Sequence, residues 1–141
     1  MPISNKAPRP FALFWLIIAM LWTAGSLVLA LVPEHDVRWA FKTFGDKLLH
    51  GFAFAVGGFV WAKYIESTEL AKPLTAAFIG AAISLAVGGA IEGLQTFTPT
   101  RQAEWGDFFA DACGVLPVLI ALTLSASLKR KREAPSAPVS Q

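Results

Sequence analysis

The sequence predicts an all-α, polytopic membrane protein built as a bundle of four transmembrane helices. Of its 141 residues, 55% are hydrophobic and only 16% are charged, whereas a soluble domain typically has about 25% charged residues. The mean hydropathy of +0.53 supports this class and argues against a disordered chain. The apolar residues form four long segments without period-two alternation. Because only helices and closed barrels span a bilayer, these segments predict helices.

The first predicted helix covers residues 11–32, a run of 22 residues without a charge. At 1.5 Å per residue, a helix of that length crosses a hydrocarbon core of about 30 Å. Lys6 and Arg9 precede the run, so a signal peptide is the alternative. The run exceeds the roughly 7–15 apolar residues of a signal peptide, and no clear cleavage site follows it. We therefore expect an uncleaved membrane helix.

The second and third predicted helices are delimited by charges and prolines. The second covers about residues 48–61 and the third about residues 74–97. Pro73 suits the first turn of the third helix, where a missing N–H is tolerated. Pro99 disfavours helical geometry at Thr98, so the third helix should end there.

The fourth predicted helix covers about residues 108–128 and contains Pro117, which can introduce a kink. Residues 1–128 are therefore predicted to form one membrane domain. Residues 129–141 follow as a basic segment and then a tail rich in Pro, Ser and Ala. We expect this tail to be disordered.

Lysine and arginine are unevenly distributed between the two sides of the predicted bundle. Four spans place both termini and the loop at residues 62–73 on one side, with eight of the 12 cations. Because cytoplasmic segments carry an excess of Lys and Arg, we expect both termini in the cytoplasm. The net charge of +2 is too small to indicate a nucleic-acid partner. The eight cations on the side of the termini are Lys6, Arg9, Lys63, Lys72, Lys129, Arg130, Lys131 and Arg132. The four on the opposite side are Arg38, Lys42, Lys47 and Arg101.

Polar residues occur inside the predicted spans at the end of the bundle opposite the termini. Asp46 and His50 share a face at the start of the second helix, and Asp107 and Asp111 repeat that spacing in the fourth. Glu92 lies at a similar depth near the end of the third. Charged groups in a span usually face a partner or a cavity. We expect a pocket formed by Asp46, Lys47, His50, Glu92, Gln95, Arg101, Asp107 and Asp111.

Small residues line the same helix faces and predict close helix contacts. In the third helix they recur at every fourth position, as Ala76, Gly80, Ser84 and Gly88. This helix is therefore the expected centre of the bundle.

Two segments, DKLLH at 46–50 and EGLQTFTPTRQAEWGDFFADACG at 92–114, resemble the VanZ-like family of small bacterial membrane proteins. That family has Asp-Lys-x-x-His, then Glu-x-x-Gln, an aromatic residue, Pro, Arg and Asp-x-x-x-Asn-x-x-Gly. Asp111 stands where the family more often has Asn. The matching positions are Asp46, Lys47, His50, Glu92, Gln95, Phe97, Pro99, Arg101, Asp107 and Gly114.

The resemblance implies a four-helix envelope protein of the bacterial inner membrane. The family is named for a protein linked to resistance to the glycopeptide teicoplanin. The resemblance assigns no catalytic residue.

Three functions remain open. In the first, the chain is a non-enzymatic envelope protein in the lipid bilayer, and its outer pocket binds an anionic lipid headgroup or a cell-wall precursor. Lys47 and Arg101 would contact the phosphate or carboxylate of this ligand.

In the second, the chain is a membrane enzyme acting on a lipid-linked substrate. His50 would be the general base, oriented by Asp46 or Asp107, and Glu92 the acid. In the third, His50, Glu92, Arg101 and Asp107 satisfy one another and hold the helices in register.

A divalent ion held by His50, Glu92, Asp107 and Asp111 is a variant of the enzyme hypothesis, because mixed imidazole and carboxylate ligands suit Zn, Mn or Fe. No dense ligand motif supports this variant, and Cys113 is the only cysteine. We therefore expect neither a metal nor another cofactor.

Overall fold

The structure is a computed structural model that describes residues 10–33, 36, 39, 45–98 and 104–133, and these residues contain no strand. Four helices are long and apolar enough to cross a membrane. The chain is thus an all-α, multi-pass membrane protein with a four-helix bundle, as predicted. Within the described ranges, these four long helices are α1 (Pro10–Leu31), α2 (Asp46–Ser67), α3 (Pro73–Gln95) and α4 (Trp105–Glu133).

Helix α2 extends beyond the predicted apolar run at both ends. It begins at Asp46, directly after Gly45, whose φ of 81° lies in a region that glycine adopts readily. It continues to Ser67, and Lys63 Nζ donates to Glu66 Oε2 at 2.7 Å in its last turns. The apolar run underestimates the helix because charged residues at a membrane surface leave the backbone hydrogen bonds intact.

Helix α4 also exceeds its prediction. It begins at Trp105 and is continuous through Pro117 to Glu133, so the basic run at 129–132 is helical. Cations in the last turn stabilise a helix, because they lie at the negative end of the helix dipole. The tail predicted to be disordered begins at Glu133, which is instead the last residue of α4. Its other residues, 134–141, lie outside the described residues.

Two helices share the central position. Helix α2 packs extensively against α1, α3 and α4, while α3 packs mainly against α2 and α4. Helix α3 has the largest buried share of the four, as its small residues predict. Helix α1 lies against α2 and α3 and makes no contact with α4 among the described residues.

The small residues of α3 form its contact with α2. A Cβ added to Gly80 would meet the backbone of Ala62. Ser84 is completely buried, and its hydroxyl donates to the carbonyl oxygen of Phe54 at 2.9 Å. This bond satisfies the hydroxyl inside the apolar contact. The predicted stripe of Ala76, Gly80, Ser84 and Gly88 is buried throughout.

Helices α2 and α4 meet most closely at Gly51 and Gly114. A Cβ on Gly114 would collide with the carbonyl group and Cα of Gly51. Ala121 and Ser125, further along α4, are exposed. The closest backbone approach of these helices therefore lies toward the end of the bundle at which α2 begins, and further along Gly58 still faces Val115.

Trp22 fixes α1 on α2. Its indole N–H donates to the carbonyl oxygen of Ala53 at 2.8 Å. Its ring lies over Gly57, where a side chain would collide with it, and it meets Phe54 edge-on at 5.4 Å. Trp22 is thus a packing residue.

Candidate functional site

One end of the bundle brings together the start of α2, the end of α3 and the start of α4. We call it the charged end. It includes the predicted site residues except Arg101, which lies outside the described residues, so its predicted pairing with a carboxylate stays a prediction. The charged end consists of Asp46, Lys47, His50, Glu92, Gln95, Glu104, Asp107 and Asp111.

A histidine held by a buried carboxylate is the centre of the charged end. His50 Nδ1 lies 3.0 Å from Asp111 Oδ1, and Asp111 is only 1% exposed. His50 Nε2 is 3.9 Å from Asp46 Oδ1 and 3.8 Å from Asp107 Oδ2, beyond hydrogen-bond range. The prediction that Asp46 or Asp107 orients His50 is therefore wrong, because the partner in contact is Asp111.

The contact between α2 and α4 explains this pairing. His50 directly precedes Gly51, and Asp111 lies one turn before Gly114. Because the two glycine backbones touch, the side chains beside them come within hydrogen-bond reach. The depth of a residue along its helix does not determine which helix faces meet. Depth alone therefore could not identify Asp111 as the partner of His50.

Lys47 is surrounded by carboxylates. Its Nζ donates to Glu104 Oε2 at 2.9 Å and to Asp107 Oδ1, and it lies 3.8 Å from Asp46 Oδ2. Lys47 was predicted to contact an anionic ligand, yet its ammonium group already neutralises protein acids. Glu104 is absent from the predicted pocket. The signal that could have identified it is its acidic side chain in the loop at the same end of the bundle as Lys47.

Glu92 links α3 to the start of α4. Its Oε2 accepts a hydrogen bond from the backbone N–H of Glu104 at 2.9 Å. Among the residues that the structure describes, its buried Oε1 has no hydrogen-bond partner, and the same is true of Gln95 Oε1. Gln95 is 5% exposed. A buried acceptor without a donor is costly, so Glu92 has capacity for a further hydrogen bond.

A groove of about 470 Å³ lies between α3 and α4 beside the charged end. We call it the α3–α4 groove. Its lining is mostly apolar, and Glu92 stands on its border. Gly93 keeps it open, because a Cβ there would meet nothing within 4 Å. The groove is lined by Gly89, Glu92, Gly93, Thr96, Trp105 and Phe108.

Three side chains at the charged end are placed to hold a metal ion. One ligand atom each from Asp46, His50 and Asp107 lies within 4.8 Å of the other two. This set differs from the predicted one. Asp111 is engaged with the other ring nitrogen of His50, and Glu92 with the backbone of Glu104.

The chain matches no protein-family model, no curated protein and no solved structure in the comparisons made with each. The resemblance to the VanZ-like family therefore stays a prediction. The geometry of the charged end and of the α3–α4 groove is the basis for a functional interpretation.

Proposed function

We propose that the chain is a VanZ-like envelope protein of the bacterial inner membrane that binds an amphiphile. The headgroup lies at the charged end and the apolar part lies in the α3–α4 groove. The observation that carries this proposal is the position of Glu92, on the border of a mostly apolar groove and in contact with the charged end. A ligand that fits both regions has an apolar part and a polar part.

The chemistry of the charged end restricts which headgroups can bind there. Glu92 Oε1 accepts from no donor within the described part of the chain, so a headgroup with hydroxyl or amino groups suits it. Lys47 and Arg101 are the predicted phosphate contacts, but Lys47 is engaged with Glu104 and Asp107. We therefore assign the phosphate contact to Arg101, because a guanidinium group binds phosphate. An anionic lipid with headgroup hydroxyls, or a lipid-linked cell-wall precursor, has these features.

The test is lipid retention by the full chain purified in detergent and analysed by native mass spectrometry. Phosphatidylglycerol, undecaprenyl-diphosphate-linked N-acetylglucosamine and phosphatidylcholine are offered separately. We expect one of the first two lipids to be retained at about one molecule per chain and phosphatidylcholine to be lost. Which of the two is retained tells whether the ligand is an anionic membrane lipid or a lipid-linked cell-wall precursor. Equal retention of all three contradicts the proposal.

A matched pair of variants tests the groove. Gly93→Leu fills it, whereas Gly25→Leu makes the same change on α1, and a Cβ meets nothing within 4 Å at either position. We expect Gly93→Leu to reduce retention at least tenfold and Gly25→Leu to leave it unchanged. If the Gly93→Leu variant retains lipid as well as the wild type does, the ligand binds outside the α3–α4 groove. The recovered lipid is also checked for chemical change, which only the enzyme hypothesis predicts.

The proposed orientation gives a separate prediction. Lys and Arg favour the side of both termini, so the charged end faces the periplasm. A reporter active only in the periplasm is expected to work when fused after Phe97 and to fail when fused after Glu133. A periplasmic signal from the fusion after Glu133 would reverse the topology and place the charged end in the cytoplasm.

A further inference from the structure

We propose that Asp46, His50 and Asp107 bind one divalent transition-metal ion of the Zn²⁺ or Mn²⁺ class. The ion lies between His50 Nε2 and one oxygen of each carboxylate. Nε2 is 3.9 Å from Asp46 Oδ1 and 3.8 Å from Asp107 Oδ2. Two ligands of a tetrahedral zinc ion are about 3.3 Å apart, so small side-chain rotations bring these atoms to coordination distance.

The hydrogen bonds of His50 and Asp107 leave the facing atoms available. Among the described residues, Nε2 makes no hydrogen bond, and Asp107 uses Oδ1 for Lys47 and leaves Oδ2 without a donor. Asp107 is 7% exposed, so solvent covers little of it. With the proton on Nδ1, a lone pair of Nε2 faces a carboxylate oxygen. A cation between them converts this repulsion into two favourable contacts.

Asp111 has the role of a positioning residue. Metal-binding histidines almost always donate their other ring N–H to a carboxylate, a carbonyl or water, which fixes the tautomer and the ring orientation. Asp111 accepts from Nδ1 at 3.0 Å and is itself buried. The parallel ring of Phe54, 6.3 Å from that of His50, also limits ring rotation. His50 therefore meets the ion in a prearranged orientation.

The charge of the site favours a cation. Among the described residues of the charged end, the carboxylates outnumber the single lysine, which contacts Asp46, Glu104 and Asp107. The mixture of imidazole and carboxylate ligands selects the metal, because it suits Zn²⁺ and Mn²⁺ better than the all-oxygen sites of Mg²⁺ and Ca²⁺. The carboxylates are Asp46, Glu92, Glu104, Asp107 and Asp111.

The ion also explains how an acidic end accepts a phosphate, and this part rests on the proposed function. Three protein ligands leave at least one coordination position open. A phosphate oxygen of the headgroup takes that position, and the ion supplies positive charge that Lys47 has already committed to carboxylates.

The test is a calorimetric titration of the full chain in detergent with Zn²⁺. The chain is first treated with a chelator, and no lipid ligand is added. We expect saturable binding of one ion per chain. Asp46→Asn and His50→Gln are each expected to weaken binding at least tenfold. Glu66→Gln removes the same charge near the other end of α2 and is expected to leave binding unchanged. Absence of stoichiometric binding, or unchanged binding in both site variants, overturns the site.

A second measurement uses only the wild-type chain and so does not depend on the folding of variants. Zn²⁺ is expected to protect His50 from modification by diethyl pyrocarbonate, located by peptide mass spectrometry. An unchanged modification rate at saturating Zn²⁺ overturns the proposal. Because no lipid is present, failure of this site leaves the amphiphile proposal to its own retention assay.

Discussion

Replacing Gly114 with alanine is expected to destabilise the bundle by about 3 kcal/mol. The added methyl group would collide with the carbonyl group and Cα of Gly51. These are backbone atoms that cannot rotate away, so α2 and α4 must separate. Their separation also pulls His50 from Asp111. The measurement is thermal unfolding of the purified protein in detergent, together with its abundance in the membrane.

Two other glycines provide controls for this prediction. A Cβ on Gly25 or on Gly93 meets nothing within 4 Å. Because alanine is the better helix former, these two substitutions are expected to be neutral or stabilising by up to about 1 kcal/mol. If Gly114→Ala melts with the wild-type midpoint while the controls behave as expected, α2 and α4 do not meet at this glycine.

The second large effect is expected at the buried pair of His50 and Asp111. Replacing His50 with leucine leaves a carboxylate that is 1% exposed without its partner. Breaking a buried pair in this way typically costs about 3–5 kcal/mol. Asp111→Asn is expected to cost much less, because the amide oxygen still accepts from Nδ1 and no charge is buried.

The pair is measured as a double-mutant cycle in detergent melts. His50→Leu is expected to cost at least about 2 kcal/mol less in the Asp111→Asn background than in the wild type, because the stranded charge is gone. Additive losses would show that the carboxylate of Asp111 does not depend on His50. The cycle also bears on the resemblance to the VanZ-like family, in which Asn is more frequent at this position.

Much of the fold was predictable from hydropathy, because a bilayer allows few solutions for long apolar segments. The number of helices and their approximate bounds followed directly. The ends of α2 and α4 could not be predicted in this way. Lys63 and Glu66 pair within α2, and the basic residues after Leu128 continue α4. Charges mark where the membrane core ends, which is a different boundary from the end of a helix.

The composition of the charged end was also predictable, because depth follows from counting residues along each helix. Its internal pairing was not. The partner of His50 depends on helix rotation, which the contact of Gly51 with Gly114 fixes. That contact joins positions 63 residues apart in the sequence, and one sequence gives no sign of which glycines meet.

The pairing of α2 with α4 has a consequence for biosynthesis. Lys47 and His50 enter the membrane with α2, but their partners Asp107 and Asp111 belong to α4, which is synthesised later. Until α4 inserts, the place of Lys47 and His50 in the first two turns of α2 keeps them within reach of water. A chain that stalls before α4 thus presents both groups without these carboxylates, so the charged end forms only once α4 is in place.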